Sequence, residues 1–571
     1  MAHAVRRVAG AIVFAGAMCA STPSSAPAAP AVSIVVRYPA QGQEIAAFDK
    51  SFAIGSAPPG SLVVVNGVRA QIAPDGGWSA FVPLHPGRFV FRVRASKGAW
   101  SSEVDRTVMV DDGTLAPFPT ATTIVQPGES IRLAISAPDG AVVSADGPGF
   151  ANVKLAPDTG AGTRAFVADV HVGARAAGPA HVVYHVSNAT GRADVDSAST
   201  LAISSRAVLY VGDVIPYSPD PGSGYRPYAM LSPSLYADTD FTVPVRTELA
   251  VTGRFGNYVR VALPGAPAHF VDRRSLVLDP AKTSMPVAAI TSIQRSEDLR
   301  TTTIVVHMRG ARPPFRVVEE DGALGRIDIF GASRADISLR LPQHAFWGYT
   351  TRWSDGDLIL TFRKPPPFAA PPHAALRGLH IVVDPGHSPD SGAVGPIGTV
   401  ERDINLDVAS RLAAQLRALG ADVTMTRTTD APVILYDRPA LAERLDADVL
   451  ISVHQNAPPD GTDPALEHGY SVYYFQPQSL ALAQSIHQAY HDEIGIPDAG
   501  LHSGDLALVR PSAMPAVLTE SAFITWPWEE MMLREASFRE RLAKAMADGM
   551  ERWAERMRDL ESRQDMHETQ M

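Results

Sequence analysis

About two thirds of the way along the 571-residue chain, five prolines crowd the stretch Pro365-Pro366-Pro367-Phe368-Ala369-Ala370-Pro371-Pro372. Proline has no N–H to give a β-ladder and favours an extended, semi-rigid backbone, so no sheet continues through such a segment. The chain must fold as separate units on either side of it, and its length already exceeds what one core can hold. The hydrophobic pattern changes across the same point. Before it, apolar residues recur with period two and glycine and proline mark the turns; after it, short apolar strands alternate with helical periods. Apolar residues make up 46% and charged residues 19%, the balance of a globular protein. The expected fold is multidomain: several small all-β modules, then an α/β domain with a six-stranded, mostly parallel sheet flanked by helices.

In residues 32–112, Phe89, Phe91 and Val93 alternate with Val90, Arg92 and Arg94, and Asn66-Gly67 follows the apolar run Leu62–Val65. That pattern predicts an Ig-like β-sandwich with a tight hairpin. Residues 113–204 repeat the style as a second sandwich. Residues 205–281 hold short strands at 248–251, 258–261 and 269–271 around Gly253, Gly256 and Gly265, a pattern that resembles bacterial SH3-like wall-binding modules. Residues 282–364 read as a further β-sandwich, in the position of a wall-localising module. Its Trp347, Tyr349 and Trp353 suit either a sugar-stacking platform or a core, and core is the more common use. Residues 365–374 form the linker, 375–557 the α/β domain and 558–571 a charged tail expected to fray.

At the other end, Arg6 and Arg7 precede an apolar run from Val8 to Ala20 and the small residues Ala26, Ala28 and Ala31. Residues 1–31 have the layout of a secretory signal peptide, and the run is shorter than the roughly 20 residues that span a bilayer. The chain's single cysteine, Cys19, lies inside it, and Met18 before it disfavours a lipid anchor there. The expected mature protein is exported to the periplasm or cell wall with no disulfide, no membrane span and no thiolate ligand. A metal site must then use His, Asp or Glu. From Arg377 onward, 16 Lys and Arg face 30 Asp and Glu within a net charge of −10 for the chain. That balance argues against nucleic acid as a partner and suits a cation.

After the linker, strands are expected at 379–384, 423–426, 449–453, 470–475, 506–509 and 516–519, with helices at 401–419, 438–445, 479–493 and 535–558. In open α/β sheets, reacting groups gather beyond the carboxyl ends of the strands. His387 follows the first strand through Pro385-Gly386, His454 follows the third, Glu520 follows the last, and Glu401 opens the first long helix after a glycine-rich loop. Four ionisable groups from four segments converge on one rim, where burial is costly unless they are paired or metal-bound. Two histidines and a glutamate holding zinc, with a second carboxylate as base, is one such use; satisfied core histidines are the other.

These residues stand in recognisable runs: Val382-Val383-Asp384-Pro385-Gly386-His387, Val400-Glu401-Arg402-Asp403-Ile404-Asn405-Leu406, Thr426-Arg427-Thr428-Thr429-Asp430, Ile451-Ser452-Val453-His454-Gln455-Asn456-Ala457, and Met514-Pro515-Ala516-Val517-Leu518-Thr519-Glu520-Ser521-Ala522-Phe523-Ile524. In this order they resemble the motifs of the zinc-dependent N-acetylmuramoyl-L-alanine amidases of the AmiC-like type, over about residues 378–553. The resemblance implies that His387, Glu401 and His454 hold one zinc ion and that Glu520 is the catalytic carboxylate. It implies hydrolysis of the amide joining N-acetylmuramic acid to L-alanine in peptidoglycan, for wall remodelling or daughter-cell separation. It also admits a localising or activating envelope protein as partner. Asn456 and Arg510 are the candidate substrate-binding residues. Ser388, Pro389, Gln455, Thr519, Ala522 and the stretch 501–504 depart from the family's commoner residues, and none removes a ligand.

The loop 458–468 is too short and broken to carry an inserted regulatory helix, so restraint is expected from the β-rich forepart or from localisation. Glu467 and His468 are placed to approach the metal, although solvated loop positions are the simpler reading. His487 and His491 share a helix face but lack the glutamate of a zinc-peptidase pair. Two other functions use the same residues: a zinc peptidase acting within the stem peptide, and a wall-binding scaffold with a spent catalytic domain.

Overall fold

The protein is described by a computed structural model covering residues 33–158, 165–235, 237–320, 324–332, 336–340 and 347–568. The expected signal peptide and Cys19 lie outside the described residues. Among those described, no helix is long and apolar enough to cross a membrane.

The forepart is built of strands throughout. In the first module a four-stranded sheet faces a five-stranded one. Along Gly87–Lys97, Phe89, Phe91 and Val93 are buried while Arg92 and Arg94 are exposed, as period two requires. Asn66 and Gly67 take φ of 48° and 86° between paired Val65 and Val68, the left-handed pair of a two-residue hairpin. The second and third modules keep separate cores, one around Leu133, Tyr184 and Leu201 and the other around Val251, Val259 and Val261. They nevertheless share one hydrogen-bonded sheet, because Thr123–Val125 pairs with both Gly191–Ile203 and Glu248–Phe255. In the fourth module a four-stranded and a three-stranded sheet enclose Ile304, Phe315, Trp353, Leu358 and Phe362. Trp353 and Trp347 are buried and Tyr349 packs against the same core, so these aromatics serve packing.

The α/β domain holds β1 (His380–Pro385), α1 (Glu401–Ala418), β2 (Asp422–Met425), α2 (Asp437–Arg444), β3 (Val449–Asn456), β4 (Tyr470–Tyr474), α3 (Leu480–Glu493), β5 (Asp498–Ser503), β6 (Ala516–Phe523), α4 (Pro527–Arg534) and α5 (Ala536–Glu568). The sheet order is β2-β1-β3-β6-β4-β5. Strands β2, β1, β3 and β6 run parallel; β4 is antiparallel to β6, and β5 parallel to β4. Val383, Ile451, Val453 and Val517 join the core under α1, α3 and α5, where Ile404, Val408, Leu412 and Leu416 of α1 are buried. Val382, Leu450 and Leu518 pack in a smaller core with Ala442 of α2. By alternation, Asp384, Ser452 and Glu520 point to that second face.

Two expectations are corrected. The run 506–509 is not a strand: Val509 and Arg510 N–H groups both donate to the Leu506 carbonyl in a turn closed by Pro511, in which Leu508 and Val509 are buried and Leu506 is exposed. The sixth strand is β5, whose Gly500 and polar residues hide it from a hydrophobic count. At the C-terminus α5 continues through the charged segment to Glu568, and Pro527 starts a separate short helix before it, proline being well suited to a first turn.

The proline linker does not isolate the fourth module. Trp347 sits in the α/β core with its ring centroid 5.2 Å from that of Trp553 and 5.8 Å from that of linker Phe368. Its Nε1 donates to the Asp448 carbonyl at 3.1 Å, and Tyr349 and Ser512 exchange hydrogen bonds at 2.7 and 2.9 Å.

Candidate active site

β1 delivers His387 through a backbone turn that few residues tolerate. A Cβ on Gly386 would lie 2.2 Å from the His454 ring, so only glycine lets the two histidines approach. His387 and Ser388 follow with φ of 66° and 91°, a left-handed pair that L-residues keep only when their surroundings impose it. Two buried arginines do so. Arg438 of α2 donates to the carbonyls of Pro385 at 2.8 Å, His387 at 2.6 Å and Val433 at 3.0 Å, and Arg427 to those of Pro385 at 3.0 Å and Gly386 at 2.9 Å.

Arg438 also meets Asp384 at 2.9 Å with both side chains buried. Burial pushes Asp384 up, but Arg438 and the hydroxyls of Thr426 and Ser452 outweigh it and hold the carboxyl below its usual range. Arg438→Met strands that charge and is expected to cost about 3–5 kcal/mol in a denaturant titration. Because the folded-state pKa is depressed, the pair's contribution is present above the unfolded carboxylate pKa and lost as pH falls through the folded one. The gap between wild type and variant therefore narrows in acid.

Glu401, the first residue of α1, is the hub. Its Oε1 lies 3.0 Å from His387 Nε2 and 3.1 Å from His454 Nδ1, and accepts from Asn405 Nδ2 and the Gln455 N–H, both at 3.1 Å. Its Oε2 accepts from the Ala393 N–H at 2.8 Å. Burial raises the Glu401 pKa, but the two histidines reverse this and hold it well below the usual range. Burial likewise opposes charge on His387, but Asp390 Oδ1, 2.5 Å from Nδ1, and Glu401 push it up to about 10. The His387 contact in turn brings Asp390 down to about 2.

The donor atoms of His387, Glu401 and His454 all lie within 4.8 Å of one another. Glu520 stands beside them, in register with His454 on the neighbouring parallel strand. Its Oε2 is buried and has no hydrogen-bond partner. Burial, and then the Glu401 carboxylate, raise its pKa well above the ordinary value, against a smaller pull from His387. Two imidazole nitrogens, one carboxylate and an orphaned second carboxylate fit a divalent cation of the zinc type with one position left open. The glycine cradle fits as well, since a Cβ on Gly392 would lie 2.3 Å from Glu401 Oε2.

The rim reading from sequence thus brings together His387, Glu401, His454 and Glu520. Asn456 ends β3 nearby, half-buried, its Oδ1 accepting from the Ala457 N–H. Arg510, expected to anchor substrate, is a correction: it is 6% exposed and committed to Asp505 at 2.6 Å and to the Tyr228 hydroxyl of the third module. His468 pairs with Glu529 at 2.6 Å and stacks on Trp526, and His487 pairs with Asp498. Sequence reasoning missed Asp390, Asn405, Arg427 and Arg438 as supports. Arg427 and Asn405 lay inside the recognised motifs, Asp390 stands three residues after His387, and nothing local marks Arg438.

Residues 381–552 match the protein family described as N-acetylmuramoyl-L-alanine amidase. This segment belongs to that family. The amidase domain is 34% identical over 173 residues to the N-acetylmuramoyl-L-alanine amidase LytC of Bacillus subtilis, covering 30% of this chain and 35% of that protein. It is 32% identical over 181 residues to the "Probable cell wall amidase LytH" of Staphylococcus epidermidis, covering 31% and 59%. The chain thus spans well under two thirds of these relatives. Among solved structures, the amidase AmiC2 of Nostoc punctiforme is 31% identical, with 31% of this chain and 97% of that one covered and a TM-score of 0.30.

Proposed function

We propose that the amidase domain hydrolyses the amide between the lactyl group of N-acetylmuramic acid and L-alanine in peptidoglycan, and that the protein acts outside the cytoplasm in wall remodelling or cell separation. One observation carries this most: three donor atoms from separate segments converge beside a carboxylate whose buried Oε2 has no partner. His387, Glu401 and His454 would hold one zinc ion, which supplies a Lewis acid that acidifies water and polarises a carbonyl. Glu520 takes the proton of the attacking water and returns it to the alanine nitrogen as the C–N bond breaks. Asp390 fixes His387 through Nδ1, leaving Nε2 for the ion. Asn456, at the end of the same strand as His454, is placed to orient the substrate. On this reading the short-stranded module at 205–281 is of the SH3-like type, and it and the sandwich at 282–364 bring the domain to the wall.

Mass spectrometry of wall fragments treated with the full chain tests the assignment. The expected products are a free alanine amino terminus and an intact lactyl carboxylate. Cleavage within the stem peptide would make the enzyme a peptidase, and retained wall binding without cleavage a scaffold.

A further inference from the structure

The loops that frame the His387, Glu401 and His454 cluster are held in part by short turns of their own, the Gly395 N–H donating to the Thr399 carbonyl in the first and the Leu466 N–H to the Asp463 carbonyl in the second. The one between His387 and Glu401 contains Gly392, Gly395, Pro396 and Gly398, and the one after His454 contains Pro458, Pro459 and Gly461. Such segments pay heavily in conformational entropy to stay in one shape, and the cluster's geometry depends on them. From within the domain, Glu530 of α4 binds the Ile397 and Thr399 N–H groups at 2.8 and 3.0 Å.

Further support comes from the forepart. In the first sandwich, Arg37 donates to the Ile397 carbonyl at 3.5 Å, and Asp75 pairs with Arg534 of α4 at 2.7 Å. Gly77 lies against Pro396 and Ile397, and a Cβ there would be in van der Waals contact at 3.4 Å from Pro396 Cβ. The Tyr38 and Ser51 hydroxyls both donate to Asp460 of the second loop, Ser51 at 3.0 Å, and Phe48 lies on Gly461. The third module touches the segment 430–436, to which Ser388 is in turn bonded. Ser388 Oγ donates to the Asp430 carbonyl at 2.8 Å, the Tyr436 N–H donates to the Ser223 carbonyl at 2.9 Å, and the Arg226 guanidinium lies 5.5 Å from the ring centres of both Tyr217 and Tyr436.

We infer that the first and third β-modules are the two walls of the active-site cleft, and that the first sandwich holds the ligand-bearing loops in their working shape. With both modules docked, the side chains of His387 and His454 remain 25% and 15% exposed. The sandwich therefore borders the cluster without covering it, which is the arrangement of a wall and not of a plug. The inference takes the position of the cleft from the amidase reading but concerns how the loops are held.

The test compares full-length wild type with Arg37→Ala/Asp75→Ala and with Gly77→Arg, whose side chain would be driven into Pro396 and Ile397. Two quantities are read without turnover: hydrogen exchange of amides 393–399 and 458–466, and the rate of zinc release to a chelator. Both loops are expected to exchange faster and zinc to leave about 10-fold faster, the low end of what losing an outer support costs, while amides in the sandwich's own core stay protected. KM on wall fragments should rise more than kcat falls. Unchanged loop exchange and zinc release once Gly77→Arg has displaced the sandwich would overturn the inference. So would faster cleavage on displacement, which would make the sandwich a lid. Exchange and metal release need no substrate, so those two results are independent of which bond the enzyme cuts.

Discussion

Glu520→Gln is expected to lower stem-peptide release by about 10²–10⁴-fold, the range general acid–base catalysis supplies, while zinc content stays at wild-type level. Glutamine keeps the side chain's volume and cannot accept a proton. The carboxylate it replaces is buried and unpartnered at Oε2 and lies among the charges of Glu401 and His387. Its raised pKa in the metal-free protein gives one further readout. A folded-state pKa above the unfolded one favours the protonated acid, and stability is lost as pH rises. Glutamine removes that loss, so chelator-treated Glu520→Gln should melt above chelator-treated wild type at neutral pH. Wild-type turnover in the variant would remove Glu520 from the chemistry.

The second large effect is expected from Glu401→Ala, which should abolish zinc retention through dialysis and lower the melting temperature together. One oxygen, Oε1, faces His387, His454, Asn405 and the Gln455 amide, and the other receives the Ala393 amide. Each buried donor left unpaired costs about 1–3 kcal/mol. Removing a ligand itself should reduce metal affinity beyond the 10–100-fold typical of losing an outer partner. Glu401→Gln separates the two losses. Its carbonyl oxygen still accepts from the amides and recovers part of the stability, while the missing charge leaves zinc weakly held. Metal analysis and calorimetry on the same samples read both. Zinc retained at wild-type level in Glu401→Ala would place the ion elsewhere.

The strands and helices that mattered were legible because burial on one face forces periodicity. Phe89, Phe91 and Val93 betray a sandwich, and Ile404, Val408, Leu412 and Leu416 betray the helix behind Glu401. The four rim residues were legible because a sheet open at its carboxyl edge admits few positions for them. Part of what escaped notice is held by partners distant in sequence. Arg438 acts through carbonyls some 50 residues away, Arg510 reaches a tyrosine in another module, and β5 pairs through a backbone that its glycine and polar residues do not announce. A hydrophobic run shows that a segment is buried and not in which shape, which is how the turn at 506–510 passed for a strand.

The Trp347–Trp553 contact sets a limit on how this protein can be cut down. A fragment beginning at residue 375 would shed Trp347 and Phe368 and leave Trp553, 1% exposed in the intact protein, with an aromatic face turned to water. Each lost ring of this kind removes about 150–250 Å² of buried surface. Such a fragment would tend to aggregate or repack. Its activity would then report a damaged interior and say nothing of whether the β-modules restrain or assist the enzyme, so fragments meant to address that question should begin before residue 347.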